Sequence, residues 1–197
     1  MSNDAVDTSK RRFLVALTSA AGAVGAVGVA VPFISSMNPS ARAEAAGAPV
    51  EVDISKLQPG ERLIVEFRKK PVWVVYRTEQ NLADLGKLDG RLQDPKSEGS
   101  IQPEYAQNKA RSREDRKNIL VVEGICTHLG CSPQYRPDVE PDAGWLGGFY
   151  CPCHGSRFDL AGRVYAGAPA PTNLPIPKYQ FINDTTILVG DDSAGAA

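Results

Sequence analysis

Two six-residue segments, Cys126-Thr127-His128-Leu129-Gly130-Cys131 and Cys151-Pro152-Cys153-His154-Gly155-Ser156, contain every cysteine and every histidine of the 197-residue chain. Side chains two or three residues apart on a short loop can converge, so each segment offers a sulfur and an imidazole to one point. Gly130 and Gly155 suit tight turns with backbone angles that other residues avoid. The 19 residues between the segments include Pro133, Pro137, Pro141, Gly144, Gly147 and Gly148, a turn-rich composition able to bring the two loops face to face. Any fold this chain adopts has to deliver both loops to one place.

The donor set leaves three readings open. Zinc takes cysteine and histidine tetrahedrally, with two of each or with four cysteines. Finger-type sites, however, keep Cys-x-x-Cys and His-x-x-x-His pairs, whereas here each half mixes the two. Two disulfides would use the four cysteines and leave the placement of both histidines unexplained. A two-iron, two-sulfur cluster with two cysteines on one iron and two histidines on the other takes one of each from each loop, and two cysteines remain.

The N-terminal third has a different character. Phe13–Ile34 runs 22 residues without a charge, and a helix of that length spans roughly 33 Å, enough for a bilayer core. Ser9-Lys10-Arg11-Arg12-Phe13-Leu14 at its head resembles a twin-arginine export signal, with Lys10-Arg11 in the paired position of one frame and Arg11-Arg12 in the other. Ala41-Arg42-Ala43 and Ala43-Glu44-Ala45 look like cleavage sites, so a cleaved signal competes with an uncleaved anchor. The length of the run, and the distance of those sites beyond its end, favour the anchor. The basic cluster before it places residues 1–12 in the cytoplasm and everything after Ile34 outside. Residues 35–49 are small and polar and read as a flexible hinge, reaching about 50 Å at full stretch.

From Val50 onward, Val-, Ile- and aromatic-rich runs predict strands at 50–54, 62–67, 71–77, 118–123, 145–150, 156–160, 163–165, 179–182 and 185–189. Residues 79–88 look helical, and the polar stretch from there to about 117 reads as an inserted surface segment. The C-terminal SAGAA reads as disordered. Glycine and proline together number 33, which favours short strands and turns over long helices. The region after Pro49 carries 18 basic and 20 acidic residues with no basic stripe, which argues against nucleic acid as a partner.

C-T-H-L-G-C and C-P-C-H-G-S resemble the two boxes of the Rieske iron–sulfur subunit of the bacterial ubiquinol–cytochrome c reductase (cytochrome bc) complex. The resemblance takes in the anchor, the hinge, the 79–117 insertion, both boxes and Gly167-Ala168-Pro169-Ala170-Pro171. It implies a mainly β fold: an antiparallel β-sandwich Rieske domain over 50–197, its cluster-binding part at about 124–171, with one transmembrane helix at 13–34. It implies one 2Fe–2S cluster with Cys126 and Cys151 on one iron, His128 and His154 on the other, and a Cys131–Cys153 disulfide. That disulfide needs the oxidising side of the membrane.

The same resemblance implies an electron carrier of the respiratory chain. It would accept one electron from ubiquinol held by a cytochrome b subunit and pass it to a cytochrome c subunit, within a dimeric complex of the bacterial inner membrane. The Rieske domain would sit on the periplasmic side. His128 and His154 would couple the electron to a proton, with His154 the quinol partner. Leu129 and residues 167–171 would form an apolar rim, and Ser156 would donate a hydrogen bond to a cluster sulfide. A tyrosine common in the family two residues after that serine is Phe158 here, so one donor is missing and a lower midpoint is implied. The small Rieske subunit of an exported molybdenum enzyme such as an arsenite oxidase shares the signal and cluster, but it resembles this chain less at Gly155-Ser156. A cytosolic ferredoxin or oxygenase component fits neither the anchor nor the extra cysteine pair.

Overall fold

The structure, a computed structural model, describes residues 7–140 and 144–193, and the chain divides into two units, residues 1–45 and 46–197. The predicted disordered tail lies, apart from Ser193, outside the described residues. In the first unit α1 runs Thr8–Ser35, all of its side chains exposed. Its start is set by Asp7, whose carboxylate accepts the Ser9 and Lys10 amides that have no partner within the helix. Lys10-Arg11-Arg12, expected in a polar leader, therefore falls in the helix's first turns. The helix is long and apolar enough to cross a membrane.

The stretch expected to be a featureless hinge contains a second helix, α2 (Ala41–Gly47). Ser40 opens it, its carbonyl and hydroxyl oxygens accepting from the Ala43 amide. Alanine has the highest helix propensity of any residue, and four of these seven residues are alanine.

The second unit is mainly β. Among the described residues, nine strands form three antiparallel three-stranded sheets: β1 (Val50–Asp53), β9 (Thr186–Val189) and β8 (Tyr179–Asn183); β2 (Arg62–Phe67), β3 (Lys70–Tyr76) and β4 (Ile119–Glu123); β5 (Gln134–Glu140), β6 (Trp145–Tyr150) and β7 (Arg157–Asp159). One apolar core draws on all three, through Val52, Phe67, Trp73, Val121, Phe149 and Ile187 among others. Val72–Val75 and Ile119–Val122 are buried on both faces, which is why they read as unbroken apolar runs rather than alternating ones.

Two departures from the predicted elements have physical causes. β5 was not predicted, because Pro133, Pro137 and Pro141 read as turn residues. Its register against β6 shifts between Arg136 and Val139, and Pro137 sits in that bulge, where its missing N–H costs the ladder nothing. Residues 163–165 pair only through the isolated bridges Phe158–Val164 and Leu92–Tyr165.

The 79–117 insertion starts as predicted with α3 (Glu79–Leu85), capped reciprocally by Thr78 and Asn81. It is not, however, a surface segment. Ser97, Arg111 and Ser112 are fully buried in it, as are Arg77 before it and Asp159 and Arg163 beyond the second box. Arg77 donates to the carbonyls of Ala110 and Leu160, Arg111 to those of Ala161 and Gly162, and Arg163 to those of Leu85 and Pro95. The buried Asp159 carboxylate pairs with Arg163 at 2.8 Å. Burial pulls the Arg77 and Arg111 guanidinium pKa values down to about 10, which leaves both charged at neutral pH. Guanidinium groups thus supply here the anchoring that the polar sequence had seemed to lack.

The β2–β3 hairpin turns on Arg68 and Lys69, whose φ angles are 51° and 61°. A two-residue turn with both angles positive is the type preferred by Asn-Gly, and each ordinary side chain there costs about 1–2 kcal/mol. Replacing the pair, Arg68→Asn with Lys69→Gly, is expected to stabilise the domain by about 1 kcal/mol or more, read as a higher thermal midpoint. An unchanged or lower midpoint would count against the strain.

Candidate metal centre

Both boxes close in the same way. In each, the first residue's N–H donates to the sixth residue's carbonyl, Cys126 to Cys131 and Cys151 to Ser156, both at 2.8 Å. In each, the fifth residue's N–H donates back to the first carbonyl, Gly130 to Cys126 at 3.0 Å and Gly155 to Cys151 at 2.9 Å. This closure requires positive φ at the fifth position, and both glycines have it, at 81° and 75°. β4 leads into the first loop and β6 runs directly into the second, so the antiparallel sheets set where the loops sit.

Cys131 and Cys153 form a disulfide across the two loops. Cys126 and Cys151 remain free thiols, both 2% exposed. The rings of His128 and His154 meet edge to face with centroids 4.7 Å apart. His154 is exposed and His128 half-buried, and the buried Nδ1 of His128 has no hydrogen-bond partner. The sulfurs of Cys131, Cys151 and Cys153 also lie within 4.8 Å of one another, but two of them are spent on the disulfide and cannot act as thiolates. Two buried thiols, two facing imidazoles and an orphaned ring nitrogen fit a metal cluster that takes sulfur on one side and nitrogen on the other.

Burial pushes the Cys126 thiol pKa up, the His128 backbone N–H draws it down, and Cys151 beside it pushes it up again. Ser156 is fully buried; its hydroxyl hydrogen-bonds the Cys126 sulfur and accepts the Ala170 amide at 3.1 Å. It therefore sits at the sulfur side, and it ties the 167–171 segment to the second box. That segment lines a cleft of about 650 Å³ together with His154, Arg91, Arg157 and Tyr165. Leu129 stands 71% exposed at the tip of the first loop. Phe158 is fully buried on β7, paired with Phe149.

Several supporting residues carried no signal in the spacing. The Thr127 hydroxyl donates to the Thr172 carbonyl at 2.7 Å, fastening the first loop to the segment behind it. Trp73 stacks on Phe149 at 5.1 Å and lies against the approach to the first box. A Cβ at Gly124 would come 2.2 Å from the indole, so only glycine lets the chain pass there. Gly124→Ala is expected to cost about 1–3 kcal/mol and to lower the yield of metal-loaded protein. Unchanged iron content together with an unchanged thermal midpoint would refute that.

Known proteins resemble this chain along its whole length. Residues 1–40 match the family described as "Ubiquitinol-cytochrome C reductase Fe-S subunit TAT signal", and residues 104–180 match "Rieske [2Fe-2S] domain". The chain is 59% identical to the ubiquinol-cytochrome c reductase iron-sulfur subunit of Allochromatium vinosum, over 100% of this chain and 95% of that one. It is 43% identical to the subunit of the same name from Bradyrhizobium diazoefficiens, over 92% and 94% of the two chains. Among solved structures, a chain of "Hyperthermophilic respiratory Complex III" is 25% identical with a TM-score of 0.47, over 86% of this chain and 96% of that one.

Proposed function

This chain belongs to the family of ubiquinol–cytochrome c reductase iron–sulfur subunits, and on that premise we propose that it takes electrons and protons from ubiquinol at the His128–His154 edge. Its cofactor is the Rieske 2Fe–2S cluster, which when bound supplies one-electron chemistry. We assign Cys126 and Cys151 to one iron and His128 and His154 to the other. The observation that carries the reading is the pair of facing imidazoles beside two buried free thiols.

The chain's own residues then have distinct tasks. With Nδ1 of His128 turned inward, Nε2 is the nitrogen of that ring left to exchange a proton. His154, the exposed ring, receives the ubiquinol hydroxyl proton at Nε2. Neutral imidazoles leave the site less negative than four thiolates would, which favours uptake of an electron. Leu129 and residues 167–171 keep water from the rim. The Ser156 hydroxyl stabilises added negative charge on sulfur. The acceptor is a cytochrome c subunit, reached as the tethered domain moves from a cytochrome b subunit within a dimeric complex. The positive charges before the apolar run of α1 and the disulfide both support a single anchor, with the domain on the periplasmic side.

Purification of the full chain from its membranes tests the partners: b-type and c-type haems should arrive with it, and iron–sulfur protein free of both would overturn the assignment. In that complex, prolines placed within residues 36–48 should slow turnover at least about tenfold while leaving the cluster spectrum intact, and full turnover would exclude the moving tether. Proton coupling predicts that the midpoint potential falls on the alkaline side by about 59 mV per pH unit for each proton taken up with the electron. The sign follows from ring deprotonation, which stabilises the oxidised form. A midpoint independent of pH would remove the histidines from the proton path.

A further inference from the structure

A second concave surface lies away from the cleft beside His154. Phe67, Ile101, Pro103, Pro175 and Ile176 line a mostly apolar groove of about 360 Å³. Ile101 is 74% exposed at its edge, a large apolar side chain with nothing over it among the described residues. The β2–β3 hairpin tip adds Arg68 and Lys70 to the lining, with Lys69 between them at the turn. Lys70 pairs with Glu123 at 2.8 Å, and Lys178 on the opposite rim pairs with Asp192 at 3.1 Å. Among the described residues, Arg68 and Lys69 form no ion pair, and both hold the left-handed backbone that asparagine and glycine prefer.

The location supplies the meaning. Gly190 lines the groove, and a Cβ on it would come 3.3 Å from the Cα of Pro49, the residue that joins the tether to β1. The tether thus enters the domain at the rim of an apolar groove flanked by Arg68, whose guanidinium lies 5.0 Å over the Phe67 ring, and by Lys69, neither of them paired with a carboxylate among the described residues. Cations without a carboxylate partner, beside exposed apolar side chains, are the combination that holds a surface against anionic lipid.

We propose that this face rests on the anionic phospholipid surface of the membrane holding the anchor, with Arg68 and Lys69 at the headgroups and Ile101 against the acyl boundary. The inference rests on reading α1 as a bilayer span. Cluster-loaded full-length chain in lipid nanodiscs tests it, with a fluorophore on Ile101→Cys or, as a control on a different sheet, on Val139→Cys. Nitroxide-labelled lipid should quench the label at 101 at least about twofold more than the label at 139 when the disc contains phosphatidylglycerol. The excess should disappear in pure phosphatidylcholine, in molar-range salt, and in the Arg68→Asn, Lys69→Gly background. That background removes the charges while favouring the turn, so misfolding does not explain the loss. Equal quenching at the two sites, or an excess indifferent to lipid charge, overturns the proposal. Protein that fails to stay in the disc overturns the anchor reading along with it, and neither result touches the cluster's spectrum.

Discussion

Four backbone hydrogen bonds set the geometry on which everything else at the site depends. Because each box is closed by the same pair of bonds, the two loops are near-copies of one turn, although histidine stands third in one and fourth in the other. The difference in spacing is absorbed by what else each turn carries. The first places its second cysteine at the sixth position, and the second places its own at the third, where Cys131 and Cys153 meet. With the turns closed, two thiols are sequestered and two imidazoles are left at an edge that solvent reaches on one side only. Loops alone could not hold such an arrangement. The loops inherit their rigidity from β4 and β6, from the Trp73–Phe149 stack and from the Thr127 and Ser156 contacts to the segment behind.

Much of this was legible in the sequence. The boxes stood out because they exhaust the chain's cysteines and histidines, and chemistry that needs both leaves little freedom in choosing ligands. Strands β3 and β4 were readable because the buried apolar runs Val72–Val75 and Ile119–Val122 continue without interruption. The misreadings have separate causes. Pro137 concealed β5 because a bulge tolerates what a regular ladder does not. Arg111, Ser97 and Ser112 concealed a buried insertion because Arg111 donates to the carbonyls of Ala161 and Gly162, while Ser97 accepts from Asn173 and Ser112 from Arg77, contacts that no local pattern records. The helix in the tether was hidden by the same small residues that suggested flexibility, since alanine serves both purposes.

Two surfaces of the domain differ in chemistry. Around His154 the surface is aromatic and cationic close to the cofactor, with Arg91 over the ring of Tyr165 and Arg136 over Tyr150. Around Pro49 it is apolar with a cationic rim.

The buried arginines also bear on the order in which the chain can fold. Arg77 and Leu160 are 83 positions apart, Leu85 and Arg163 are 78, and Asp89 and Arg163 are 74. Contacts of such separation cannot form until the intervening chain has been gathered. The hairpins of neighbouring strands can close first, and the 86–117 stretch, held by guanidinium bonds rather than by a ladder of its own, can lock only onto what they have built. The last part to be fastened is then the first to loosen. Amide exchange across the domain should therefore be fastest in this stretch, ahead of β3 and β4.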